Sequence, residues 1–211
     1  MPKKTDPKAD QNPDPSNRIL DAGLAIAARG DWHKAGLAAI ATEAGLAFHE
    51  VLAHFPSKLA ILDAFARRID LQSVQGAEDG EGEPPRDRLF DGMMRRFDAL
   101  SPHKPAVSML LREARRDPAM IGAGAAAVLR SMALTLEASG MSCGGIAGMM
   151  RAKLLGALYL SVLKTWLGDD SADMTQTMAT LDRRLRSAAP WLGLGRDGAA
   201  ANRGGEAAPT R

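Results

Sequence analysis

Four histidines, one cysteine and the neighbouring carboxylates Asp169 and Asp170 are the side chains to weigh first for catalytic or metal-binding chemistry. His33, His49, His54 and His103 fall on separate stretches, with no paired carboxylate and no ligand-like spacing. Neither a metal centre nor an acid–base pair is therefore expected. Cys143, in the run Ser142-Cys143-Gly144-Gly145, has no neighbouring base and reads as a small packing residue. A single cysteine also rules out an internal disulfide. Asp169 and Asp170 stand just ahead of Ser171, where a helix can start, and read as a helix cap rather than a metal site. The expectation is a protein with no catalytic residue, no metal and no cofactor, hence not an enzyme. What is left is a few cations around residues 34–58 and an apolar inventory rich in Met, eleven against nine aromatics. Met adapts to irregular partners, so a deformable apolar cavity is a natural use for that surplus.

The elements that position these groups are helices. Apolar residues make up 45% of the chain, charged residues 25%, and the net charge is +2. Ala and Gly are plentiful and β-branched residues sparse, which favours an all-α fold. Residues 1–16 are polar and Pro-rich and read as a disordered tail, without the apolar segment of a signal peptide. A second disordered tail is expected at 192–211. The most apolar stretch, about 138–166, is broken by Arg151, Lys153 and Lys164. No bilayer-spanning run and no stable membrane insertion are expected, and the chain reads as soluble and cytoplasmic. The acidic, Gly/Pro-rich stretch 75–85 divides an N-terminal domain, 17–70, from a larger helical domain, 86–191. Helices are expected in the larger domain at about 86–100, 104–116, 118–138, 143–168 and 172–189.

Residues 36–55, GLAAIATEAGLAFHEVLAHF, hold the pattern of a helix-turn-helix. Ala41 is small where a second helix crosses, Gly45 can take positive φ in the turn, and Leu46 and Val51 lock the two helices together with Ile40 and Ala44. Phe55 and Pro56 end the second helix, and Ser57 can cap a further one. This segment, the run His54-Phe55-Pro56-Ser57-Lys58 and the preceding NRILDAGLAIAARGDW (17–32) resemble the DNA-binding domain of TetR-family regulators. The resemblance is specific over about 17–70 and general beyond.

It implies a TetR-like fold, with an N-terminal three-helix helix-turn-helix domain and a C-terminal helical ligand-binding and dimerisation domain. It implies a ligand-responsive transcriptional regulator, with repression as the expected mode, working as a homodimer on a double-stranded DNA operator. Ala47, Phe48, His49, Leu52 and Ala53 would face the groove, with His54 at the end of the recognition helix, and Lys34 and Lys58 would meet phosphates. The last two helices would pair the subunits through Leu154, Leu158, Val162, Met174, Met178, Leu181 and Leu185. A small apolar ligand would sit in the larger domain, among Met93, Met94, Phe97, Met109, Met132, Met150, Tyr159 and Trp166.

The recognition helix departs from the family pattern. Leu52 stands where a phosphate-binding Tyr is usual, Ala53 where a cation or other polar residue often follows, and Ala47 where Ser or Thr caps. Glu50 brings a carboxylate to the same helix. Over residues 18–70 six basic residues face six acidic ones, which removes much of the counterion-release contribution to DNA affinity. The segments 88–105 and 158–185, above all Trp166-Leu167-Gly168-Asp169-Asp170-Ser171 with Leu181-Asp182-Arg183-Arg184, are similar to a relative of the same fold, the lipid-binding accessory protein of ubiquinone biosynthesis. The alternative this resemblance implies is such a lipid-binding protein with a vestigial helix-turn-helix.

Overall fold

A computed structural model describes residues 14–80 and 82–194, and among them every regular element is helical. Nine α-helices follow in chain order: α1 (Pro15–Ala28), α2 (Leu37–Ala44), α3 (Phe48–His54), α4 (Lys58–Val74), α5 (Pro85–Leu100), α6 (Lys104–Ala114), α7 (Pro118–Ala138), α8 (Gly145–Leu167) and α9 (Thr175–Leu192). Short 3-10 turns lie at Ala77–Gly80 and Ser101–His103. The tails expected at 1–16 and 192–211 fall largely outside the described residues. Their inner edges are ordered, because Asp14 caps α1, Pro15 opens it, and Leu192 is buried at the end of α9.

The described chain forms two compact units. The smaller contains residues 14–66 with His103–Gly124, and the larger contains Arg67–Pro102 with residues 125–194. The acidic stretch at 75–85 lies within the larger of these units, between α4 and α5. It interrupts helices, whereas unit membership follows packing, and α6 packs on α1. The α1–α6 contact is close. Gly30 ends α1 with φ 81°, and a Cβ there would lie 2.7 Å from Met109 Cε.

In the smaller unit α1, α2 and α3 surround Ile19, Ile26, Trp32, Ile40, Val51 and Phe55, all buried. Ser57 Oγ accepts the Ala60 N–H at 3.2 Å, the cap expected at the start of α4. In the larger unit α8 and α9 pack side by side, and α5 lies against α9. Gly156 on α8 faces Val128 and Leu129 of α7, where a Cβ would sit 3.4 and 3.8 Å from their side chains. The α9 start is fixed by Asp169, which accepts from Thr177 N and Oγ1, both at 2.8 Å, and from Ser171. Burial opposes ionisation of this carboxyl, yet the Ser171 and Thr177 hydrogen bonds hold it far below the usual carboxylate range. Asp169 is a cap, as its position ahead of Ser171 suggested.

One expectation fails on length and composition. Helices α7 and α8 are each long and apolar enough to cross a bilayer by length and composition. Long apolar helices in protein cores meet the same description.

Candidate nucleic-acid interface and ligand-binding core

The turn between α2 and α3 is built as the sequence pattern requires. Gly45 adopts φ 63°, and the N–H of Leu46 reaches back to Ala41 O at 3.0 Å, closing α2. Val51 is fully buried against the unit core, and Ala41 and Ala44 are buried beside Ile40. The side chains that project from α3 are therefore Phe48, His49, Glu50, Leu52, Ala53 and His54. Phe48 is 49% exposed and Leu52 43%, large apolar groups in water. Ala47 opens the helix and offers no capping oxygen. Glu50 compensates by accepting the Ala47 N–H at 2.7 Å, half of a capping box. This explains a carboxylate on that helix without a role in base contact. His54 Nδ1 lies 3.1 Å from Ser16 Oγ, tying the end of α3 to the start of α1.

The cations of this segment are mostly turned towards the protein. Lys58 Nζ donates to Trp32 O at 2.7 Å and Ala35 O at 2.8 Å and lies 5.2 Å above the Trp32 ring. The sequence expectation gave this ammonium to phosphate; in the structure two main-chain carbonyls of the α1–α2 connection hold it. Arg18 donates to Ala44 O and Gly45 O at the end of α2. Arg29 forms a two-pronged pair with Glu43 at 2.9 and 3.0 Å. Lys34 is open, its side chain 81% exposed and 3.8 Å from Asp31. A cavity of about 280 Å³ beside it is lined by Trp32, His33, Lys34, Lys58, Glu113 and Arg116, among others.

The residues expected to hold a ligand divide three ways. Met93, Phe97, Met132, Tyr159 and Trp166 are buried together in the larger unit, at 4% exposure or less. Phe97 stacks on Tyr159 at 5.6 Å and tilts towards Trp166 at 5.8 Å. Met94 is half-buried in the same unit. Met109 belongs to the smaller unit, against Gly30, and Met150 is 56% exposed on α8. These two are not part of the buried cluster. A cavity of about 330 Å³ in the larger unit is lined instead by polar groups, Glu83, Arg88, Asp91 and Arg95 among them.

The sequence reading missed the polar centre of that core. Arg96 is buried and pairs with buried Asp70, donates to Ser131 Oγ at 3.1 Å, and lies 5.4 Å above the Tyr159 ring. Burial works against its charge, but Tyr159 and Asp70 keep the guanidinium ionised. Asp70 Oδ2 and Arg96 Nε remain buried without a hydrogen-bond partner. Nothing in local periodicity separates Arg96 from the half-buried Arg95 beside it. Cys143 donates from Sγ to Ala133 O at 3.1 Å, and burial pushes its thiol up, consistent with a packing role. Among the described residues no group of three or more His, Cys, Asp or Glu side chains could hold a metal ion.

Four of the expected pairing residues are turned into the protomer. Leu158, Val162, Leu181 and Leu185 are buried inside the protomer, three of them with no exposure at all. Buried in the protomer, they are not part of its outer surface. Leu154, Met174 and Met178 keep partial exposure. The outward side of α8 is apolar as well: Ile146 is 78% exposed, and Met149, Met150 and Leu160 project with it.

Fold and site together define an all-α protein with an N-terminal helix-turn-helix and a larger helical unit built on buried aromatics and Met. Residues 19–65 match the family of bacterial regulatory proteins described as the tetR family. The helix-turn-helix segment thus matches that family, and the described chain has the TetR fold. It is similar to a TetR transcriptional regulator from Nitrosomonas europaea, at 22% identity and a TM-score of 0.68, covering 82% of this chain and 97% of that one. FadR of Thermus thermophilus, a TetR-family repressor solved with lauroyl-CoA, is similar at 16% identity and a TM-score of 0.56, with 81% and 91% covered. SmeT, solved with triclosan, is similar at 24% identity and a TM-score of 0.56, with 82% and 90% covered. No curated protein matches the chain in sequence.

Proposed function

We propose that this protein is a cytoplasmic, non-enzymatic transcriptional repressor that binds a double-stranded operator as a homodimer and releases it when an apolar small molecule binds the larger unit. The observation that carries the reading is the intact helix-turn-helix. Gly45 is left-handed, Ala41, Ala44 and Val51 are buried at the crossing, and the second helix presents its remaining side chains to solvent within a segment that matches the tetR family. In such motifs the second helix enters the major groove. The ligand assignment draws on the Met-containing aromatic core around Phe97 and Tyr159, and on two similar structures holding lauroyl-CoA and triclosan.

Self-pairing is assigned to the outer side of α8. Ile146, Met150, Lys153, Ala157, Leu160 and Lys164 recur at alternating steps of four and three, the spacing of a helix seam, and all are exposed. A helix apolar on both sides requires a second cover beyond its own core.

The test is binding of the full chain to its own upstream region and to a random duplex library, followed by titration of lauroyl-CoA or triclosan into the complex. Selective binding that either compound reverses supports the reading. A second reading is favoured by one observation: α3 has no Lys or Arg, and Arg18, Arg29 and Lys58 are engaged within the protein. That reading is a lipid-binding accessory protein of ubiquinone biosynthesis with a vestigial helix-turn-helix. It predicts no selective DNA binding and co-purification of an isoprenoid lipid.

A further inference from the structure

We infer that α3 reads thymine methyl groups, so that the operator half-site is specified by apolar contact rather than by paired hydrogen bonds to guanine or adenine. The inference rests on the operator-binding reading above. Specific major-groove contacts come chiefly from Arg or Lys on guanine and Asn or Gln on adenine, and α3 contains none of these four residue types. Its carboxylate, Glu50, is already bonded to the Ala47 N–H at the helix start. Val51 is buried, and His54 is bonded to Ser16. The groups left to meet base edges are Phe48, Leu52 and Ala53, with His49 as the remaining polar side chain.

Phe48 and Leu52 stand four residues apart, one turn along the same side of the helix. Each is nearly half exposed, 49% and 43%, on a unit whose other large apolar groups in α1–α3 are buried or, at Leu37, half-buried. The major groove has one apolar feature for such a pair to cover, the 5-methyl group of thymine. His49, next to Phe48, adds one hydrogen bond to a neighbouring base. With no Lys or Arg on α3, and Arg18 and Lys58 bonded within the protein, a larger share of the affinity of this helix must come from the contacts that read the bases.

The experiment begins with selection of a site from a random duplex library by the full-length protein. Affinity is then measured for the selected duplex and for copies in which single thymines are replaced by deoxyuridine, which removes only the methyl group. Each critical methyl is expected to be worth about fourfold in Kd, and the symmetric pair in both half-sites about 15-fold, from the transfer free energy of one buried carbon. The variants Phe48→Ala and Leu52→Ala, at exposed positions that leave the core intact, should bind the thymine and uracil duplexes equally. Selective binding that ignores the uracil replacements, or a selected half-site without thymine under α3, overturns the inference while leaving the regulator in place. No selective binding to any duplex overturns the operator reading and this inference together.

Discussion

Helices α3 and α8 both turn apolar side chains into water, and they do so in different ways. On α3 the exposed apolar groups are two, Phe48 and Leu52, on a helix of seven residues. On α8 they form a stripe from Ile146 to Leu160, along a helix of 23 residues that is also apolar on its inner side. A stripe at seam spacing suits another helix laid along it, because each side chain finds a complementary hole in the partner. Two isolated groups cannot bury enough area to hold a protein partner, but they suffice to cover point features such as methyl groups in a groove. The distribution of exposed apolar residues, rather than their number, separates a pairing surface from a reading surface.

The sharpest way to break this comparison is Leu160→Glu. A carboxylate in the middle of the α8 stripe would be buried against its own symmetry mate in a dimer. The dimer dissociation constant should rise at least 100-fold in sedimentation equilibrium, while helical content stays unchanged because Leu160 lies outside the protomer core. DNA affinity should fall with dimerisation. An unaltered dimer would assign pairing to another surface and leave the α8 stripe without a use.

The second prediction concerns support for α3 rather than its outer face. Lys58→Ala removes the donor shared by Trp32 O and Ala35 O and should lower unfolding stability by about 1–2 kcal/mol. The salt dependence of DNA binding should stay as it is, since this ammonium is turned inward. Urea unfolding and a binding series in salt report the two quantities separately. A salt slope that becomes shallower in this variant would return Lys58 to a phosphate.

Lys58 also shows where the sequence was readable and where it was not. The helix-turn-helix was legible because its determinants are local: Gly45 needs only its own φ, and Ala41, Val51 and the Ser57 cap act within a few residues. The destination of Lys58 was not, because its acceptors lie 23 and 26 residues earlier in the chain. The side of α8 left for pairing was not legible for a related reason. Helix α8 carries apolar residues on both its sides, so periodicity offers Leu158 and Val162 on one and Met150 and Leu160 on the other without ranking them. Packing against α9 makes the choice. The Arg96–Asp70 pair joins α5 to α4, and neither residue has a local signature of burial.

Asp169 gives α9 the kind of support that Lys58 gives the helix-turn-helix, and Asp169→Asn should have a smaller, pH-dependent effect. Its folded-state pKa is depressed, so its contribution is complete above the unfolded value near 4 and is lost as pH falls towards the lower folded value. The stability difference between the natural protein and the variant should therefore be full at pH 7 and narrow below about pH 4. Dimer affinity at pH 7 should not change, because the α8 stripe is untouched. A difference that stays constant into acid would mean that Asp169 is not ionised in the folded protein.

The smallest effect bears most directly on what α3 is for. If base reading by Phe48 and Leu52 carries the specificity, few phosphates are neutralised, and the slope of log affinity against log salt should be shallow. Each phosphate contact contributes about 0.9 to that slope. Lys34 is the open cation of the segment, and a homodimer presents two. Lys34→Ala should reduce the slope by about 2 and weaken binding only severalfold at physiological salt, leaving the preference for thymine over uracil intact. Should Lys34→Ala abolish that preference, the lysine and not the apolar pair would be setting α3 in register, and the contrast between a reading face and a pairing face would have to be redrawn around charge.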